Sequence, residues 1–79
     1  MIILDEVKHE PLTGILLMLT PSEAKELLDK LETLSIESGE HIHIDDDNYS
    51  KELTIAIYTP ENIKYFAKGI RELLEQEMF

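Results

Sequence analysis

Cysteine and tryptophan are both absent from this chain. The first absence removes disulfide staples, thiolate metal sites and a cysteine nucleophile together, and it fits a cytoplasmic protein. Basic residues are scarce: seven Lys and Arg stand against seventeen Asp and Glu, for a formal net charge of −10. A field of that sign repels phosphate backbones and anionic lipid, so neither nucleic acid nor a membrane surface is an expected partner. A protein with a basic surface is. Long apolar runs are missing as well. The longest, Ile15 to Leu19, falls far short of the roughly 20 residues of a membrane span. The start Met1-Ile2-Ile3-Leu4 meets Asp5 and Glu6 without a basic stretch, so no signal peptide is expected. Gly14, Gly39 and Gly69 are isolated, which leaves no glycine-rich phosphate loop, and there is no nucleophile elbow. At 79 residues the chain makes one domain, 1–79, with a small core and no space for a catalytic cleft between domains.

What is present is organised around Thr20-Pro21 and its echo Thr59-Pro60. Thr is a good N-cap and Pro suits the first helical position, so each pair predicts a switch from extended chain into helix. Glu23 completes a capping-box spacing after Thr20; Asn62 stands at the equivalent place after Thr59. The two Thr-Pro pairs are 39 residues apart, and a weak ββα pseudo-repeat, 1–39 and 40–79, follows from the matching pattern.

The chain then reads in order. Ile2 to His9 is expected as a strand, Glu10 to Gly14 as a turn and Ile15 to Leu19 as a second strand. The second strand is apolar at every position, which requires cover on both faces; Leu16 and Met18 are the residues a partner or a second copy would cover. Helix one is expected from Pro21 to about Ser38, with Ala24, Leu27, Leu28, Leu31 and Leu34 on its core stripe and Gly39 as its stop. His41 to Asp45 alternates strictly, sending Ile42 and Ile44 to one face and His41, His43 and Asp45 to the other. After a polar turn, Leu53, Ile55 and Ile57 oppose Thr54, Ala56 and Tyr58 on the last strand. Helix two is expected from Pro60 to about Glu77. The sum is an α+β fold of order ββαββα: a four-stranded antiparallel sheet, strand order open, with two helices on one face.

Two local patterns bear on chemistry. His41-x-His43-x-Asp45 puts two imidazoles and a carboxylate on one strand face, a bite a metal ion can use. It resembles the opening of the His-x-His-x-Asp-His motif of metallo-β-lactamase-like hydrolases, but Asp46 stands where that motif has His, and the chain is too short for that fold. A strand pair without metal is the expected state, and no cofactor is expected. Asp45-Asp46-Asp47-Asn48 lacks the glycine and distant Glu of a calcium loop and reads as a solvated turn.

The runs Leu19 to Leu28, Gly39 to Asp46 and Glu52 to Ile57 together resemble small bacterial proteins of the immunity protein 32 type. That resemblance implies a single α+β domain that neutralises a toxin by binding it, with no catalytic residue. The expected function is a non-enzymatic immunity or inhibitor module that masks a basic surface. Its expected charged rim is Glu40, Asp45, Asp46, Asp47 and Glu52, with His41, His43 and Tyr58 on the open sheet face. A small metal-binding protein and a homodimer joined through the open face are the alternatives.

Overall fold

Thr20 opens the first helix as the sequence predicts. In the computed structural model, which describes residues 1–35 and 39–78 (the side chain of residue 78 excepted), its hydroxyl accepts from the Glu23 backbone amide while the Glu23 carboxylate accepts from the Thr20 amide. This reciprocal box starts helix α1, Pro21–Thr33. The helix ends earlier than expected. Leu34 takes an extended conformation as C-cap, and the Thr33 hydroxyl turns back to donate to the Lys30 carbonyl at 3.1 Å. Thr-Leu-Ser is a poor continuation because such hydroxyls offer the backbone a competing bond. The predicted end at Ser38 lies outside the described residues. Gly39 follows well past the helix in a left-handed turn, φ 70°, that leads into the next strand rather than capping α1.

Strands β1, His41–Asp45, and β2, Glu52–Ala56, pair antiparallel. Ile42 faces Ile55 and Ile44 faces Leu53; on the other parity His41, His43 and Asp45 stand opposite Ala56, Thr54 and Glu52. The alternation read from the sequence is the alternation observed. Helix α1 packs against β1, and Ile44 is buried.

The expected four-stranded ββαββα sheet is not formed: the described residues hold one two-stranded sheet and two α-helices, a smaller α+β arrangement. The first half fails at Asp5. Its carboxylate accepts from the Val7 and Lys8 amides, both at 2.9 Å, and closes a turn that His9 leaves with φ 58°. A short Asx side chain that bonds the backbone two and three residues on competes directly with a strand ladder. In place of the expected hairpin stands a single bridge between Leu4 and Pro11, a residue expected in the turn, and residues 15–19 take no part in it. Residues 15–19 are neither helix nor strand, so the run expected as a covered inner strand lies exposed instead.

The second Thr-Pro pair also behaves differently from the first. Thr59 and Asn62 form their own reciprocal box, with Thr59 N–H donating to Asn62 Oδ1 at 2.8 Å and Asn62 N–H donating to Thr59 Oγ1 at 3.1 Å. Only a 3-10 turn, Ile63–Tyr65, follows it, and Phe66 is extended (ψ 156°). Helix α2 begins beyond that break, at Lys68–Met78. Asn62, Ile63, Tyr65 and Phe66 are all middling helix formers, so a helix through this stretch has little local support. The helix-one stripe is likewise less covered than expected: Leu27 and Leu34 are half-buried, but Leu28 and Leu31 are exposed.

Candidate functional site

The charged end of the hairpin is built by its register. Asp45 and Glu52 stand directly opposite each other, an arrangement of like charges that weakens a strand pair. The Glu52 carboxylate has a close neighbour in His43, whose Nδ1 lies 2.9 Å from Glu52 Oε1 and 2.9 Å from Thr54 Oγ1. Asp45 has no charged partner among the described residues.

Asp46 is spent on the loop that joins the strands. Its carboxylate accepts from the Ser50 amide at 2.6 Å, the Ser50 hydroxyl at 2.8 Å and the Lys51 amide at 2.9 Å. These donors, the Lys51 amide foremost, hold its carboxyl below the usual range against some desolvation. The tight closure drives Tyr49 to φ 55°. Asp47 points the other way and is exposed; its Oδ2 accepts from the Thr20 hydroxyl at 3.4 Å.

Glu23 ties this acidic loop to the start of α1. Only 8% exposed, it accepts from Thr20 N–H with one carboxylate oxygen and from Asp47 N–H, at 3.0 Å, with the other. The Thr20 amide is the main cause of a carboxyl pKa below the ordinary value, opposed by desolvation and by the neighbouring Asp46 charge. The capping box was legible as Thr-x-x-Glu; the second bond, which docks the loop onto the helix, joins residues 24 apart and had no sequence signal.

On the hairpin's polar face the His41 and His43 rings meet edge to face, centroids 4.7 Å apart. Asp45 does not join them, and among the described residues no group of three His, Cys, Asp or Glu is placed to hold a metal ion. His41 borders a groove of about 750 Å³ between this face and α2, with Ile2 and Leu4 on one wall and Ile70 and Leu74 on another. Tyr58 also lines the groove, and its hydroxyl accepts from the Met1 amine at 3.2 Å; the same amine pairs with Glu77 at 3.1 Å. The sequence reading had left this face flat and open, because α2 was expected on the opposite side.

Glu40, just before β1, is exposed and makes no ion pair among the described residues. Leu16 and Met18, named as the face to be covered, are 85% and 82% exposed. The expected residues therefore divide by place: Asp45, Asp46, Asp47 and Glu52 gather at the loop end of the hairpin, His41 and Tyr58 at the groove, and Leu16 and Met18 on the apolar run that ends at Thr20 beside Asp47. Asn62 is the buried polar residue the sequence undervalued: 1% exposed, it also donates from Nδ2 to the Ile57 carbonyl at 2.9 Å. No helix among the described residues is long and apolar enough to cross a membrane. Comparison of the chain with protein-family models, curated proteins and solved structures finds no match in any of the three.

Proposed function

We propose that the chain is a non-enzymatic protein-binding module whose partner presents a basic surface, in the manner of an immunity or inhibitor protein that masks a toxin. The observation that carries this reading is the unrelieved Asp45 opposite Glu52 at the loop end of the hairpin, with exposed Asp47 beside it. An acidic pair that weakens its own hairpin is useful where a cation from another molecule comes to sit on it. The incomplete burial of the chain supports the same reading. Its accessible surface is 6217 Å², whereas a compact monomer of this mass exposes about 4,900 Å². Its radius of gyration is 13.4 Å, against roughly 11.6 Å for a compact domain of this length. A partner supplies the missing cover.

Co-purification with the product of the adjacent reading frame, followed by a salt titration of the complex, tests the proposal. The expected partner is basic, and the complex weakens steeply as salt rises from about 50 to about 500 mM, because exposed charge pairs are screened within roughly a Debye length. An acidic partner, or a complex indifferent to salt, rejects the reading. A second reading, a small metal-binding protein, draws on the 4.7 Å approach of the two imidazoles. Titration with Zn²⁺ decides it: binding weaker than about millimolar, or binding unchanged in His43→Ala, removes it.

A further inference from the structure

The apolar run before α1 has the exposure pattern of a strand without a sheet. Ile15 is 56% exposed, Leu16 85%, Leu17 48% and Met18 82%. Leu19 is half-buried. Odd residues are less exposed than the even ones beside them, the period of two that an extended chain imposes. Yet residues 15–19 belong to no strand, and among the described residues no backbone N–H or C=O of residues 13–19 has a hydrogen-bond partner in the chain. An unpaired row of backbone donors and acceptors with apolar side chains is a template for another strand. Its far end is acidic, since Thr20 donates to the exposed carboxylate of Asp47 at 3.4 Å.

We infer that residues 15–19 form an open edge to which an extended, lysine- or arginine-bearing segment of the partner protein adds as a β-strand. The backbone of that segment pairs with residues 15–19, its apolar side chains lie on Leu16 and Met18, and a cationic residue sits against Asp47. This is strand addition, in which main-chain bonds supply affinity and alternate side chains supply specificity. The inference rests on the basic-partner reading above and adds the place and manner of contact. Charge selects this occupant over a second copy of the chain. Each copy carries −10, and residues 10–24 contain Glu10 and Glu23 but no Lys or Arg, so two such edges have no cation to offer each other.

The test uses a fluorescently labelled Lys-Val alternating octapeptide as probe, with binding to the full chain followed by anisotropy at low salt. The expected result is saturable binding that the double variant Leu16→Ser/Met18→Ser weakens by about tenfold or more. Asp47→Asn weakens it by about threefold, and N-methylation of alternate peptide amides abolishes it. A Glu-Val octapeptide does not bind. Both serine positions are already solvent-exposed, so the double variant keeps its circular dichroism spectrum, and Val7→Ser, at another exposed apolar site, binds like the parent. Salt-sensitive binding that ignores the serine substitutions and N-methylation overturns the strand-addition inference while leaving the basic-partner reading in place. No binding of the cationic peptide at any salt overturns both. A concentration-dependent dimer that disappears in the double variant overturns the choice of occupant and assigns the edge to a second copy.

Discussion

Asn62 shows how much of this small protein rests on single polar side chains. Its amide holds the Thr59 N–H and the Ile57 carbonyl, and so fixes the exit from β2 into the 3-10 turn. Asn62→Ala strips both partners at a site that is 1% exposed. Each orphaned group costs about 1–3 kcal/mol, so a loss of roughly 2–6 kcal/mol in denaturant unfolding is expected; a loss below about 0.5 kcal/mol would show that water replaces the side chain. Glu23 predicts a pH dependence. Its folded-state pKa is depressed, chiefly by the Thr20 amide, so its contribution is present above the ordinary carboxylate range and is lost as pH falls through the folded value. Glu23→Gln is therefore less stable than the parent at about pH 7, and the gap in melting temperature narrows as pH falls below the ordinary carboxylate range. A gap that stays constant with pH would mean the ionised form makes no special contribution. At this scale the Thr-x-x-Glu box was legible because all of its atoms lie within one turn; the Glu23 to Asp47 bond was not, because it exists only once the loop has docked.

Among the elements, the hairpin was the most legible. Strict alternation from His41 to Asp45 names the two faces, and the observed register pairs them as expected. The pairing also makes the Asp45 and Glu52 repulsion testable. Asp45→Lys converts a like-charge cross-strand pair into an opposite one, and a gain of roughly 0.2–1 kcal/mol in thermal unfolding is expected, together with loss of affinity for a basic partner. Stabilisation without loss of binding would separate the acidic pair from recognition. The helices were legible at their starts more than at their ends. Thr20 and Pro21 open α1 as read, but Thr33 turns back on Lys30 and stops it. Thr59 and Pro60 promise a helix that does not begin until Lys68, because Asn62 puts its side chain into a local box and Phe66 extends. Start signals are concentrated in two or three residues, whereas persistence depends on a covered stripe, and the stripe of α1 leaves Leu28 and Leu31 exposed.

For the molecule as a whole, a thin core is the governing fact. Ile44 and Leu74 are the buried apolar side chains among the described residues, while Leu16, Met18 and Val7 stand in solvent. Ile44→Ala is expected to lose about 2–5 kcal/mol, enough to unfold a marginal domain at 37 °C, whereas Leu16→Ser/Met18→Ser leaves the melting temperature within about 2 °C of the parent. A large drop in the double variant would show that the edge is covered within the chain. The acidic balance, the lack of cysteine chemistry, the first helix cap and the two faces of the hairpin were determined by the residues alone, since each depends on composition or on neighbours within a few positions. Tertiary structure alone decided that the first half makes no sheet, that α2 borders the histidine face and that Ile15 to Leu19 stays open. A run that is apolar at every position has no period to reveal its partner, and its fate depends on whether any surface elsewhere in the chain remains to cover it.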